Sequence, residues 1–490
     1  MAGVLFTWAL SKVFKEPRLI RVHLFEDLPV EIQLQVIDQL DRRDKLKLLR
    51  TSRYFYNLLQ PQIYEHLYDI RNTPRLVDIL VRRPSLCTHP RSLRLSAWDT
   101  PQTWAVDDNR NIDLDLLLMR YDISPVCIKA WEASFSEKEA TAWERELKKM
   151  NPDAWIALLL TLLPNLFRLE IQFPDRSTYV LKVILRAAAG QFTMPVLQQL
   201  EQVSVSVGFE PYGLMTSFAL PFFGLPGLRW LFTDSLSDGE TGVVIGSSPV
   251  THLAIGNCRG LQSLDELVKN CPQLESYRHG YFPYSTCDPD LNHLIYPALL
   301  NARHTLRKLW LDINRPREGS PVWPSFTEFT TLQLLQAPYF LLGDFDPDST
   351  DTDAPDCLPK ILPPTLETFH ATGVDIPVIS RLFPCLINYV QSPRVNLTNL
   401  TIALTTLSIN LATIDTRAPG HSVRPGQILS NPVIDLATRL NGACCKTHVN
   451  LAVHEKRSRS LMEWAFEEPF SWSRTTVKMQ AQDMYSESGN

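Results

Sequence analysis

Apolar positions in residues 24–70 recur with the period of a helix. Ile32, Val36 and Leu40 stand four residues apart and therefore form one apolar stripe along a first helix. Pro29 suits the first turn of that helix, because its missing N–H would have no hydrogen-bond partner there. The spacing predicts a helix that presents this stripe to other apolar groups.

Two further short helices are predicted before residue 70. Asp41 and Asp44 mark the start of the second helix, because carboxylates are stabilised at the positive end of a helix dipole. Pro61 is expected to end that helix, since a proline inside a helix removes a hydrogen bond. The apolar positions of "QIYEHLYDI", from residue 62 onward, predict the third helix.

The predicted three-helix unit carries more large apolar side chains than it can bury. Val30, Leu34 and Ile37 widen the first stripe well beyond one core-facing side. A unit of about 45 residues is marginally stable alone, although each fully buried leucine or isoleucine stabilises it by ~1.5–3 kcal/mol. We therefore expect the surplus apolar surface to face the next domain or a partner protein.

Beyond residue 75 a loose repeat replaces this pattern: an apolar helix, a proline and a short leucine-rich strand. In the first copy Leu93 and Leu95 alternate, as in a strand with one buried side. A core close to L-x-x-L-x-[LIVFY] recurs in most of the later copies, which lie at Pro164, Pro195, Pro226, Pro249, Pro272, Thr305, Thr330, Pro364 and Pro384. Such units bury their apolar sides only by stacking, so the sequence predicts a leucine-rich-repeat solenoid. The alternative is an α/β domain whose strands are rich in leucine by chance.

The predicted fold class is therefore α+β or α/β, with an N-terminal three-helix unit followed by an irregular leucine-rich-repeat solenoid. A helical insertion is expected at about 101–151, and a capping helix from residue 454 onward. The predicted divisions are an N-terminal extension at 1–22, the three-helix unit at 23–70, the repeat domain at 71–440, and a C-terminal cap with a flexible tail at 441–490.

Charge and cysteine usage exclude several classes of protein. The formal net charge of −5 disfavours general binding to nucleic acid or to anionic membranes. The N-terminal apolar run lacks the flanking features of a signal peptide, and no apolar run is long enough to span a bilayer. The nine cysteines are scattered without a CxxC pair, which indicates reduced, mostly buried thiols in a cytoplasmic or nuclear protein.

The acidic segment at 344–356 has the alternating aspartates of a calcium loop. Its sixth position, however, is Ser349, where such a loop needs glycine for its turn. Its twelfth is Pro355, where the loop needs a bidentate glutamate. We interpret the segment as a solvated acidic loop, available for docking or phosphorylation.

No other pattern predicts a catalytic, cofactor-binding or metal site. The histidines show no metal-ligand spacing, and nothing local would activate Cys258 or Cys271 as a nucleophile. The glycines of 237–249 lack the lysine of a phosphate-binding loop, and the basic run from His454 indicates a solvated surface or a nuclear import signal. The clustered tryptophans of the first third, which include Trp143 and Trp155, are expected in the core.

The first stretch resembles an F-box. The resemblance rests on Leu28-Pro29-x-Glu31-Ile32, the apolar pair Val36-Ile37, Leu40, Asp44, Ser52-Arg53 and Phe55. It weakens at Lys45, where the family usually has leucine, and Asp41-Arg42 lacks a common proline. The segments "RRPSLCTHPRSLRL" and "LPPTLETF" resemble the irregular repeats of fungal-type leucine-rich F-box proteins.

The resemblance implies that the helices bind the Skp adaptor of a cullin ubiquitin ligase while the repeats hold a client protein. It implies no catalytic residue, no cofactor and no metal. The residues expected to bind the adaptor are Leu28, Pro29, Ile32, Val36, Ile37, Leu40, Leu46 and Phe55. Two other hypotheses stay open: a leucine-rich scaffold that binds the adaptor without targeting a client, and, more remotely, an enzyme such as a cysteine hydrolase.

Overall fold

The structure is a computed structural model, and its contacts divide the chain into two units, Met1–Glu201 and Gln202–Asn490. The residues that it describes are 25, 28–68, 70, 72–96, 98, 136–174, 176–207, 216–237, 246–259, 262–280, 292–312, 323, 325–343, 357–374, 376–393, 395–404 and 431–455. The acidic segment at 344–356 and most of the glycine-rich stretch at 237–249 lie outside these residues, as does the chain beyond 455.

The first unit begins with three helices: α1 (Val30–Asp38), α2 (Arg42–Leu49) and α3 (Arg53–Glu65). Helix α2 starts as predicted, because the Asp41 carboxylate accepts a hydrogen bond from the backbone N–H of Asp44 at 2.8 Å. Ser52 caps α3 in the same way, with its hydroxyl accepting from the N–H of Phe55 at 3.2 Å. These caps set the two helix starts from local sequence alone.

The prediction that a helix ends at Pro61 and a third one follows it is wrong. The predicted second helix stops at Leu49, and α3 then continues through Pro61 to Glu65. Leu59 before the proline and Ile63 after it pack on one core, which compensates for the lost hydrogen bond. The segment predicted as a third helix instead ends in strand β1 (His66–Leu67).

The rest of the first unit alternates helices with short parallel strands. Strand β1 pairs with β2, and β2 pairs with β3, so the order in the sheet follows the order in the chain. Helix α6 is buried along almost its whole length, and the alternating residues of β3 point into the same core. The elements are α4 (Thr73–Arg82), a 3₁₀ turn (Pro84–Thr88), β2 (Ser92–Leu95), α5 (Glu137–Lys148), α6 (Pro152–Thr161), β3 (Arg168–Phe173) and α7 (Tyr179–Ala188).

Helix α5 lies within the predicted insertion, of which residues 101–135 are outside the described part of the chain. Two indoles join it to α6. Trp143 Nε1 donates to the carbonyl of Ala154, and Trp155 Nε1 donates to the carbonyl of Leu147, both at 3.1 Å. Both rings are buried, as predicted, so α5 is a packed part of the first unit and not an appendage.

The second unit repeats the helix-and-strand pattern, and each strand pairs in parallel with the next along the chain. The spaced leucines face the core; Leu306, Leu309 and Leu311 are each 0% exposed. The elements are β4 (Gln202–Val207), α8 (Thr216–Phe223), β5 (Trp230–Ser237), β6 (His252–Arg259), α9 (Gln262–Lys269), β7 (Ser276–His279), α10 (Asn292–Leu299), a 3₁₀ turn (Leu300–Ala302), β8 (Lys308–Leu311), β9 (Leu334–Pro338), a 3₁₀ turn (Tyr339–Leu341), α11 (Leu358–Ile361), β10 (Thr368–Val374), α12 (Ile376–Gln391), β11 (Asn399–Leu404), α13 (Asn431–Lys446) and β12 (Asn450–Glu455). The predicted fold class is confirmed: three helices precede stacked repeats of helix and parallel strand.

Two details of the last repeats differ from the prediction. Pro384 does not precede a strand but lies inside α12, whose apolar residues Leu382 and Leu386 anchor the turns around it. The predicted boundary at 441 falls inside α13, and β12 then pairs with β11. Strand β12 was not predicted, because it lacks the alternating leucines of the earlier strands. Its described side chains, at 450–453, are at most partly buried.

Candidate functional site

The three helices bury a face of α1 that the apolar stripe did not predict. Ile37, Phe55 and Leu59 form the core of this part of the unit, with Phe25, Leu48, Leu49, Leu58 and Ile63 packed around it. The stripe points elsewhere: Ile32 is 43% exposed, and Val36 and Leu40 are only partly buried.

A buried glutamine sets this rotation of α1. Gln33 is 1% exposed, and its Nε2 donates to the carbonyl of Leu28 at 2.6 Å. Its Oε1 accepts from the hydroxyl of Tyr54 at 2.6 Å, which links α1 to α3. Both ends of the amide are therefore satisfied, so the core accepts a polar residue on the side where Ile37 also lies.

Exposed apolar side chains concentrate on these helices. Among the described residues, large hydrophobic side chains are exposed at Val30 (43%), Ile32 (43%), Leu46 (38%) and Tyr54 (37%), and otherwise at Leu185 and Met194. Scattered single residues of this kind are ordinary, but four within three consecutive short helices mark these helices as a candidate contact region. We call Val30, Ile32, Leu46 and Tyr54 the apolar surface.

The structure separates the eight residues predicted to bind a partner into three groups. Pro29, Ile32 and Leu46 are exposed, and the partly buried members of the set are Leu28, Val36 and Leu40. Ile37 (0% exposed) and Phe55 (9%) lie in the interior, in the core cluster of these helices.

Two ion pairs flank Leu46 on α2 without covering it. Lys45 Nζ lies 3.3 Å from a carboxylate oxygen of Asp38, and Lys47 Nζ lies 2.7 Å from one of Asp44. Exposed pairs of this kind contribute about 0–1 kcal/mol to stability. They fix the charges of α2 on either side of Leu46 and give the surface a polar rim.

Sequence reasoning missed the roles of Gln33 and Tyr54. Hydrophobic periodicity assigns a glutamine to the solvent side of a helix, and nothing in the local sequence shows that its amide has two partners. One signal was available: α1 carries apolar residues on too many sides for all of them to be buried, so some other position had to share the core.

The alternative of a reactive cysteine gains no geometric support at Cys271. Burial raises the pKa of the Cys271 thiol to about 12, which keeps it protonated. Burial first, and then the charges of Lys308 and Arg278, lowers the pKa of His252 to about 4. Within the described ranges, no three histidine, cysteine or acidic side chains are grouped to hold a metal ion. The side chain of Cys258 is outside the described part of the chain.

No helix in the part of the chain that the structure describes is both long and apolar enough to cross a membrane.

Comparison with known families matches both parts of the chain. The model of an F-box-like domain matches residues 25–69, which contain the apolar surface and its supporting core. The model of a leucine-rich repeat domain matches residues 71–418, which is most of the chain. No curated protein shows significant similarity to it. The chain thus belongs to the leucine-rich repeat family and carries an F-box-like domain ahead of its repeats.

Proposed function

We propose that this protein is the substrate-recognition subunit of a Skp–cullin–F-box ubiquitin ligase. Its F-box-like helices bind the Skp adaptor, and through it the cullin, while the repeat domain holds a client protein. The observation that carries the proposal is the apolar surface on helices that match the F-box-like model. F-box-like and leucine-rich repeat domains are interaction modules, which agrees with this division of roles.

The contacts within the helices support a preformed binding surface. Gln33 holds Leu28 against α1, so the apolar entry to the first helix has a fixed position before any partner arrives. Ile37 and Phe55 fill the core beneath. Binding then costs little free energy for ordering, and covering the exposed 43% of Ile32 and 38% of Leu46 contributes roughly 1 kcal/mol for each side chain.

In this proposal the protein itself catalyses nothing. It raises the effective concentration of a client lysine near a ubiquitin-conjugating enzyme that other subunits carry, so its contribution to the reaction is proximity. The high pKa of the buried Cys271 thiol argues against a cysteine nucleophile at this position. We place the protein in the cytoplasm or the nucleus, where such ligases act, without a nucleic-acid or membrane partner.

Capture of purified Skp adaptor by the full-length protein tests the proposal. Ile32→Glu and Leu46→Glu each place an unpaired charge in the apolar surface and are expected to weaken capture at least about tenfold. Leu185→Glu is the matched control, because Leu185 is equally exposed but lies on α7. Unchanged capture by both surface variants, with the fold intact by circular dichroism, would refute adaptor binding through this surface.

A second measurement separates a ligase receptor from a scaffold that binds the adaptor and targets nothing. Protein half-lives are compared between cells with the wild-type protein and cells with the Ile32→Glu variant. If the protein is a ligase receptor, at least one client that it binds should have a longer half-life in the cells with the Ile32→Glu variant. If no associated protein is stabilised, the scaffold interpretation replaces the receptor.

A further inference from the structure

Strands β5 to β8 of the second unit bring basic and aromatic side chains together on the side of the sheet opposite the leucine core. Trp230 of β5 is in register with His252 of β6, His252 with Ser276 of β7, and Ser276 with Lys308 of β8. The register two residues further along brings Arg278 of β7 opposite Trp310 of β8. We call Trp230, His252, Arg278, Lys308 and Trp310 the basic–aromatic strip.

Ring stacking fixes the flat groups of the basic–aromatic strip. The rings of Trp230 and His252 have centroids 3.4 Å apart and are inclined by only 19°. The guanidinium carbon of Arg278 lies 4.0 Å from the ring centroid of Trp310, in a cation–π arrangement. These contacts orient an imidazole and a guanidinium on adjacent strands without help from a ligand.

The two cations of the strip, Arg278 and Lys308, both act on His252. Arg278 and Lys308 lie on neighbouring strands two residues out of register, so their Cα atoms are roughly 8 Å apart from strand spacing and rise. Both lower the pKa of His252, after burial, to about 4, so this imidazole is neutral at physiological pH. The acidic residue Asp312 lies two residues beyond Trp310, directly after the end of β8.

We propose that the basic–aromatic strip binds the client, and that it recognises an extended acidic peptide segment with two carboxylates two residues apart and an apolar side chain beside them. This inference rests on the proposed function and names the class of client. Side chains at i and i+2 of an extended chain lie on one side about 7 Å apart, close to the separation of the two cations. A single phosphoryl group is smaller than this separation, and a long polyanion is disfavoured by the net charge of −5.

Direct binding of a defined peptide to the full-length protein tests the inference. The probe is fluorescein-labelled Gly-Ser-Glu-Phe-Glu-Leu-Ser-Gly, read by fluorescence anisotropy. Arg278→Gln and Lys308→Gln are each expected to weaken binding about tenfold, because each removes one charge-assisted contact. Arg307→Gln is the matched control, since Arg307 is exposed, directly precedes β8 and is not a member of the strip. Binding should also weaken as the salt concentration rises.

Four outcomes would overturn the inference. One is equal affinity for the peptide with glutamine in place of both glutamates. Another is wild-type affinity in the Arg278→Gln, Lys308→Gln double variant, and a third is no binding of the acidic peptide at all. A fourth is binding only when a single phosphoserine replaces the glutamate pair, which would assign the strip to phosphate.

The same variants separate this inference from the proposed function. Ile32→Glu is expected to lose adaptor capture and to keep peptide affinity, while the double strip variant does the opposite. Loss of adaptor binding in the wild-type protein with peptide binding intact would overturn only the ligase role. Adaptor capture without peptide binding would overturn only the client class.

Discussion

Replacement of Gln33 by leucine tests whether one buried amide fixes the orientation of α1. Leucine has a similar volume and fits the apolar core near Ile37, but it makes neither of the two hydrogen bonds. The carbonyl of Leu28 and the hydroxyl of Tyr54 then lose their partners at 2.6 Å. The segment before α1 is thereby released from the helix.

The expected loss of stability of α1 follows from the two hydrogen bonds that Gln33 makes. A neutral hydrogen bond contributes about 1 kcal/mol net, so two contribute about 2 kcal/mol. The hydroxyl of Tyr54 recovers part of its share from water because that side chain is 37% exposed, whereas the carbonyl of the partly buried Leu28 recovers less. About 2 kcal/mol corresponds to a roughly 30-fold rise in the opening equilibrium of α1.

Hydrogen exchange measured by mass spectrometry on peptides covering 28–40 reads this opening directly. The Gln33→Leu variant should lose protection about 30-fold in these peptides and capture the Skp adaptor more weakly. Gln35→Ala, on the exposed side of the same helix, should change neither. Unaltered protection in Gln33→Leu would show that apolar packing, and not the amide, orients α1.

Two further predictions concern other buried groups. The carboxylate of Asp153, 3% exposed, accepts hydrogen bonds from Ser177 Oγ (2.6 Å), Thr178 N (2.8 Å) and Tyr179 N (2.7 Å) at the start of α7. Asp153→Ala should therefore lower the free energy of unfolding of the first unit by about 3 kcal/mol, measured by urea titration with tryptophan fluorescence. Asp153→Asn should lie between the wild type and Asp153→Ala. A loss below about 1 kcal/mol in Asp153→Ala would contradict this prediction. Burial lowers the pKa of His279 from 6.5 to about 4, so the unfolded chain binds a proton in this range that the folded chain does not. His279 should then contribute up to about 3 kcal/mol to the fall in the free energy of unfolding of the second unit as pH drops from 6.5 to 4, beside the contribution of His252, and His279→Gln should remove the His279 part of this slope.

Helix starts and repeat strands followed from short-range sequence signals. Asp41 caps α2 through a contact three residues away, which a linear reading identifies. The leucine spacing around Leu309 likewise predicted a strand with one buried side, because strand periodicity is local. The exposed apolar surplus of the first helices was predictable from the same patterning, since a small unit has too little interior to hide it.

Helix continuation and the buried side of α1 did not follow from sequence. Pro61 and Pro384 lie inside helices because the turns on both sides are packed, and the sequence shows the lost hydrogen bond but not the compensating contacts. Periodicity placed Ile32 on one apolar stripe, but it did not show that the structure would bury Gln33 and Ile37 and leave Ile32 exposed.

The sequence by itself determined the order of the modules, their repeat unit and the presence of an F-box-like segment, because each depends on spacing within a few residues. Tertiary structure decided which side of α1 is exposed, since only α3 supplies the Tyr54 partner that allows Gln33 to be buried. Tertiary structure also forms the basic–aromatic strip. Trp230 and Trp310 belong to different repeats, and only the register of four parallel strands places them on one side of the sheet with Arg278 and Lys308.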